Sequence, residues 1–373
     1  MNDKSLVIWF WQQIVSPHMA GLAAALVRQG CEVTYVAEKL MSESRERQGW
    51  TLPDLGGARL MLAPSSDAVR ELVNAVSPNS IHICQGIRGN GLVGCAQRIL
   101  AQRGLRQWVV METVDDVGWL GVLKRLEYRR LFSMKDGRIE GVLATGHQTP
   151  RWLVNRGVSP KRVFPFTYYL PDPLIPITPK KDKSARFRFI FVGQFIPRKR
   201  LDLLVSALTQ LNPDDIELAV IGSGPLESEL RHFAEEKLPK RVIWHGRLPI
   251  HDVQQLIADA DCLVLPSRYD GWGAVVSEAL IVGTPVICSD RCGSAGAAQA
   301  SGHGGVFRSG DISGLVVELK RMLSVGRLAA DDRKGLAEWG KSLCADAGAS
   351  YLRSVLEHSI GQLRPAPPLW GLK

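Results

Sequence analysis

Two carboxylates, Asp270 and Glu278, flank the turn Gly271-Trp272-Gly273. Asp270 falls in a loop after an apolar run. Glu278 falls about one turn into a stretch of helical composition, Ala274–Val282, where a carboxylate can accept from both hydroxyls of a ribose. Gly273, Ala274 and Val275 would carry the unpaired N–H groups of that helix start, suited to a phosphate or to sugar hydroxyls. A second cluster, Arg198-Lys199-Arg200, stands just ahead of a helical stretch beginning near Leu201. Cations at a helix N-terminus oppose its partial positive charge, so the placement makes sense where an anion binds between them. Two other glycine turns also follow strands: Gly222-Ser223-Gly224, where a ligand or a neighbouring loop can approach the backbone, and Gly246-Arg247-Leu248. Taken one by one, Asp270 reads equally as a turn cap, Glu278 as a solvated helix residue and the cations as a solvated turn. Together they describe a pocket for a nucleotide diphosphate.

The elements that must hold these residues form two series of alternating strands and helices, the mark of doubly wound α/β domains. The first begins with strand Leu6–Phe10, a helix His18–Arg28 announced by Ser16-Pro17, and strand Glu32–Val36. Strands at Leu60–Ala63, Ser80–Cys84, Trp108–Met111 and Val142–Thr145 follow, with helices at Ala68–Val76, Leu92–Arg103 and Thr149–Asn155 between or after them. Thr167–Ser184, with four prolines and a lysine cluster, reads as a linker. The second series has strands Phe187–Val192, Glu217–Ile221, Val242–Trp244, Cys262–Leu265, Thr284–Cys288 and Gly305–Phe307. Its helices are Leu201–Leu211, Pro225–Glu236, Asp252–Ala258, Ala274–Val282 and Ile312–Leu323, the last capped by Asp311. Asp331–Gln362 reads as helical. The expected organisation is an N-terminal domain over 1–170, a linker over 171–186, a C-terminal domain over 187–340, and a helix and tail over 341–373 returning toward the first domain.

Composition narrows the function. A chain of 373 residues with 45% hydrophobic and 22% charged residues reads as a globular protein of two domains. No apolar run has the length of a membrane span, and MNDKSLVIWFWQQ reads as a first strand rather than a leader. The seven cysteines are scattered, several within apolar strands, which suggests reduced packing residues in a cytoplasmic protein. Cys288 and Cys292 have no second metal-ligand pair nearby, so no metal is expected. The net charge of +9 points to an anionic partner, and the absence of a nucleic-acid motif leaves nucleotide phosphates or anionic lipid.

The second half resembles the donor domain of retaining glycosyltransferase family 4, an α/β family of GT-B fold with two Rossmann-like domains facing a central cleft. The resemblance rests on FVGQFIPRKRLDLLVSAL, on VIGSGPLESEL, and on ADADCLVLPSRYDGWGAVVSEALIVGTPVICSD, which carries the spacing of the family's E-x7-E stretch. It covers roughly Phe187–Asp290. It implies that Lys199 and the turn around Gly193 bind the donor pyrophosphate, that Glu278 binds the ribose, and that Gly246–Leu248 meets the base. The family's arginine in the first turn is Gln194 here, with Arg198 available to supply its charge. Its first glutamate, placed by the donor sugar, is Asp270, one methylene shorter. The implied activity is transfer of a sugar, with retained configuration and without a metal or other cofactor. The sugar would pass from a UDP- or GDP-sugar to an acceptor hydroxyl in bacterial-type polysaccharide or glycolipid synthesis. The acceptor would be a glycan or lipid-linked molecule. A sugar-nucleotide epimerase on the same plan, and a non-catalytic protein that kept the pocket, remain alternatives.

The first half resembles the acceptor domain in its alternation more than in its motifs. The usual glycine pair after the first strand is replaced by Gln12, Gln13 and Ser16. Glu112 stands at a strand end where many family members have an active-site histidine. His147, after the strand Val142–Thr145, is a second candidate to reach the reacting sugar, as is His18; each also reads as a capping or surface histidine. Gly118–Arg138 interleaves apolar residues with six cations against two acids. Such a helix suits an anionic membrane surface, with peripheral attachment at an inner membrane, or else an ordinary half-exposed position.

Overall fold

A computed structural model of the chain describes residues 5–42, 52–116, 118–135, 137–171, 186–212 and 214–358. Among these, residues 5–171 and 344–358 form one compact unit and residues 186–343 another. Each unit is a doubly wound, all-parallel α/β sheet, as the alternation of elements predicts. Of the linker expected over 171–186, residues 172–185 lie outside the described residues.

The first unit runs β1 (Val7–Ile14), α1 (Pro17–Arg28), β2 (Glu32–Lys39), β3 (Arg59–Leu62), α2 (Ser66–Ala75), β4 (Ile81–Gln85), α3 (Leu92–Gln102), β5 (Arg106–Glu112), α4 (Trp119–Met134), β6 (Gly141–Thr145), α5 (Thr149–Val154) and β7 (Val163–Phe166). Strand order is β3-β2-β1-β4-β5-β6-β7. Ser16 and Pro17 start α1 as expected: the Ser16 hydroxyl accepts from Met19 N at 3.4 Å, and proline occupies the first turn. β1 outlasts its expected end at Phe10 because Trp11 is buried and the polar Gln12 still pairs with Ala37 of β2. The Tyr35 hydroxyl receives Ser16 N and donates to Ile14 O, both at 3.2 Å, which fixes the loop beyond β1. β7 was not expected, since Pro165 interrupts its apolar run. It is an edge strand, where a missing N–H leaves no partner on the open side.

The second unit runs β8 (Phe187–Val192), α6 (Leu201–Leu208), β9 (Ile216–Ile221), α7 (Glu227–Lys237), β10 (Val242–Gly246), α8 (Ile250–Asp259), β11 (Cys262–Leu265), α9 (Ala274–Ile281), β12 (Val286–Ser289), α10 (Ala295–Ala300), β13 (Gly305–Phe307), α11 (Ile312–Val325) and α12 (Ala330–Gly340). Strand order is β10-β9-β8-β11-β12-β13. β11 and β12 are buried along their whole length, which is why they read as unbroken apolar runs rather than alternating ones. Phe189, Phe191, Leu204, Leu208 and Val220 build the core on one side of this sheet, each contributing about 1.5–3 kcal/mol by burial.

The helix expected over Asp331–Gln362 is in fact two within the described residues. After α12 a 3-10 turn, Lys341–Leu343, redirects the chain into α13 (Ala345–His358). Ala349, Leu352, Val355 and Leu356 of α13 are buried against the α1 core of the first unit, and Arg28 pairs with Asp346 at 2.6 Å. All seven cysteines are free and all but Cys95 are buried.

Candidate donor site

In the second sheet the chain moves outward from β8 in one direction and from β11 in the other. β8 and β11 are therefore the neighbours at which the winding reverses, the place where open α/β sheets bind ligands beyond their strand ends. The turn after β8 carries the cations, and the turn after β11 carries Asp270. Lys199 Nζ donates to Asp270 Oδ2 at 2.5 Å. Arg198 Nη1 lies 3.4 Å from Asp270 Oδ1 and donates to Tyr269 O at 2.8 Å. Arg268 N donates back to Arg198 O at 2.8 Å, tying the two turns by backbone as well. Lys199 and Asp270 are largely buried, whereas Arg198 is exposed on 42% of its side chain. Arg200 turns away: it adopts φ 54°, in the left-handed region, at the start of α6, and its guanidinium pairs with Asp202 at 3.1 Å. Of the three cations, then, two converge on the Asp270 carboxylate, leaving one net positive charge there.

The glycines of the next turn prove to serve neighbouring backbone. Gly222 has φ 133°, and a Cβ on it would collide with Gly193 O; one on Gly224 would press on the backbone of Phe195. Phe195 N donates to Ser223 O at 2.9 Å and Gly222 N to Gly246 O at 2.8 Å, so the turns after β8, β9 and β10 are stacked side by side. Gly222→Ala is expected to lower stability by about 3 kcal/mol, from overpacking and an unfavourable φ together, read as a shifted urea midpoint. Arg247 is exposed and its Nε donates to the Ser223 hydroxyl; Leu248 is half-buried beside it, and Gln194 is exposed.

Gly271-Trp272-Gly273 forms the wall of the site. The Trp272 ring is buried and its Nε1 donates to the Ser277 hydroxyl at 2.9 Å, stapling the turn to α9. Trp272 thus offers the site its backbone and not its ring. Gly273, with φ 86°, starts α9 with no side-chain cap among the described residues, so no side chain there satisfies the first amides of the helix. Glu278 lies just past the first turn of α9, half-buried, with no side-chain partner among the described residues. Burial raises its pKa from 4.5 to about 7. Near neutral pH it is a carboxyl on the edge of ionising, which an arriving donor of hydrogen bonds would favour in its charged form.

Sequence reasoning missed the segment that props this wall. Gly293 N donates to Asp270 O, and Ser294 N to Trp272 O, both at 2.9 Å, while a Cβ on Gly293 would strike Gly271 O. The Ser294 hydroxyl is buried near Gly273 with no hydrogen-bond partner among the described residues. The signal was present in the glycine that follows β12, since β12 lies next to β11 and its turn must stand beside the Asp270 turn.

The candidates from the first half belong to the other unit. Glu112 ends β5 paired with Thr145, the last residue of β6, and His147 follows two residues later, so both stand beyond the same end of the first sheet. His18 sits in the first turn of α1 and stacks on Tyr168 with ring centroids 4.9 Å apart. Among the described residues no cluster of three or more His, Cys, Asp or Glu side chains is arranged for a metal ion, and no helix is long and apolar enough to cross a membrane.

Comparison with known proteins agrees with the resemblance read from the motifs. Residues 177–339 match the sequence profile of the glycosyl transferases group 1. The lipopolysaccharide 1,6-galactosyltransferase of Escherichia coli K12 is 28% identical over 190 residues, 49% of this chain and 52% of that one. A GDP-mannose-dependent monoacylated alpha-(1-6)-phosphatidylinositol monomannoside mannosyltransferase of Corynebacterium glutamicum is 29% identical over 204 residues, 48% of this chain and 52% of that one. The matches span about half the length of these relatives. Among solved structures, apo WaaB, a lipopolysaccharide outer core galactosyltransferase, superposes with TM-score 0.70 at 17% identity over 95% of this chain and 99% of its own. Anabaena HepE in complex with UDP superposes with TM-score 0.71 at 13% identity, over 95% of this chain and all of its own. The fold is that of the GT-B proteins.

Proposed function

We propose that this chain, whose residues 177–339 match the sequence profile of the glycosyl transferases group 1, transfers a sugar from a UDP- or GDP-sugar to an acceptor hydroxyl with retention of configuration. The observation that carries the reading is the convergence of Lys199 and Arg198 on the switch point of the second sheet, on the side of α9, whose start has no side-chain cap and whose Glu278 carboxyl has no side-chain partner among the described residues. Cations and amides suit a diphosphate, and Glu278 suits the ribose attached to it. Relatives named for galactosyl and GDP-mannose-dependent mannosyl transfer, and a like-folded protein holding UDP, support the donor class. Their names also support a glycan or glycolipid acceptor.

In the transfer the bond from the anomeric carbon to the diphosphate oxygen breaks, and its electron pair leaves with the diphosphate. Lys199, Arg198 and the α9 amides meet that charge as it develops, which is where a preorganised site contributes most. The acceptor oxygen bonds to the same carbon, and its proton passes to the departing phosphate. Asp270 holds the Lys199 ammonium in place and borders the sugar position. Glu112 and His147 are proposed on the acceptor side.

Incubating the protein with UDP- and GDP-sugars tests the reading. One donor should be hydrolysed slowly without acceptor, releasing nucleoside diphosphate and sugar of retained configuration. Isomerisation of the sugar would indicate an epimerase, and binding without turnover a non-catalytic protein; either result would reject the transferase.

A further inference from the structure

Helix α4 turns its small apolar face inward and its large one outward. Only Gly121, Tyr128 and Phe132 are buried. They lie on one side of the helix at the spacing of α-helical turns. The opposite side carries Trp119, Leu123, Leu126, Arg130 and Met134, again in register along one line. Trp119 is 75% exposed, Leu123 58%, Leu126 59% and Met134 61%. Leu120 and Val122 are exposed on its flanks. An ordinary surface helix would show polar residues here, and a stripe of four large apolar side chains over 16 residues is not the scatter of single exposed leucines that any surface has.

Charge indicates what covers the stripe. The helix holds Lys124, Arg125, Arg129 and Arg130 against Glu127, and Glu127 is itself paired with Arg88 at 2.8 Å. Along the flank that carries Arg129 and Ser133 lies a cavity of about 230 Å³ whose lining includes Arg129, Lys135, Arg156 and Arg162. Arg156 is buried there, its Nε without a partner among the described residues while its other nitrogens reach Trp152 O and Asp116. A second copy of this chain packed on the stripe would set the same excess of cations against itself. A phospholipid surface presents acyl chains to the stripe and phosphates to the cations beside it.

We propose that α4 is an in-plane anchor for an anionic bilayer. Trp119, Leu123, Leu126 and Met134 enter the boundary between headgroups and acyl chains, and the Arg129 side of the helix, with the cavity behind it, takes lipid phosphates. Vesicle binding needs no nucleotide sugar, so this proposal and the donor reading stand or fall by separate experiments.

Flotation of the full chain with vesicles tests it. Binding to vesicles of about 30 mol % phosphatidylglycerol should exceed binding to pure phosphatidylcholine by about tenfold or more, and should weaken as salt is raised. The double change Leu123→Ser with Leu126→Ser should reduce binding by about tenfold at unchanged melting temperature, since both side chains already face water. Arg129→Gln with Arg130→Gln should remove the preference for phosphatidylglycerol while some salt-insensitive binding persists. The proposal is overturned if the wild-type chain stays out of the phosphatidylglycerol fraction, or if neither double variant changes flotation. A concentration-dependent dimer that the leucine changes dissolve would also overturn it, by assigning the stripe to a second copy.

Discussion

Glu278→Gln is expected to stabilise the ligand-free protein at pH 8 and to weaken its hold on a nucleotide sugar. Burial raises the Glu278 pKa from 4.5 to about 7, so between those values the folded chain binds a proton that the unfolded chain has released. Stability attributable to this group is therefore largest below pH 4.5 and is lost as pH rises toward 7. Ionising the carboxyl in place costs roughly 3 kcal/mol by pH 8. Glutamine never ionises, so the variant's advantage in denaturant midpoint should be near zero at pH 4.5 and grow to roughly that amount at pH 8. Binding runs the other way. The ribose hydroxyls need the carboxylate, so wild-type affinity for a nucleotide sugar, whose phosphates do not titrate in this range, should rise about tenfold from pH 6 to pH 8. The variant's affinity should be lower and flat. An affinity in the wild type that ignores pH, or a variant that binds as well at pH 8, would remove Glu278 from the ribose.

The second large effect is expected from Lys199→Ala. The change deletes the ammonium proposed to meet the leaving diphosphate and also strips Asp270 of its partner at 2.5 Å, leaving a carboxylate beside the phosphates. Turnover of the donor should fall by about 100- to 1,000-fold, the scale on which single charge-stabilising groups act. Affinity for the nucleoside diphosphate should fall more than affinity for the nucleoside. Asp270→Asn separates the two roles. It removes negative charge while keeping the shape, so it should tighten diphosphate binding yet slow turnover by letting Lys199 drift. Equal losses for nucleoside and diphosphate in Lys199→Ala would move the phosphate site elsewhere.

These expectations depend on features that differ in how plainly the sequence carries them. Cys262–Leu265 was readable to the residue, because a parallel strand buried on both faces is an unbroken apolar run, and so was Phe187–Val192, whose apolar run only Arg188 interrupts. The start of α1 was readable because Ser16 and Pro17 act locally. The Lys199–Asp270 pair was not. Both residues stood visibly on turns after strands, but their meeting depends on β8 lying next to β11, a fact of strand order that no local pattern encodes. For the same reason the Gly222 turn was ambiguous between ligand and neighbouring backbone until its neighbour, the Gly193 turn, was placed. The orientation of α4 was hidden in another way. Apolar residues lie around most of its circumference, so periodicity alone does not say that Gly121, Tyr128 and Phe132 face in while Leu123 and Leu126 face out.

The return of α13 to α1 has a consequence for how the protein is made. The first unit is complete in its strands by Phe166, but its core takes in Ala349, Leu352, Val355 and Leu356 of α13. At ordinary rates of translation, roughly 5–20 residues per second, on the order of 10–40 seconds pass between synthesis of β7 and synthesis of α13. During that interval the nascent chain holds a first unit whose α1 lacks its covering helix, while the whole second unit emerges and folds. The order of completion is thus the reverse of the order of synthesis: the second unit can close first, and the earlier one waits for the last helix of the chain.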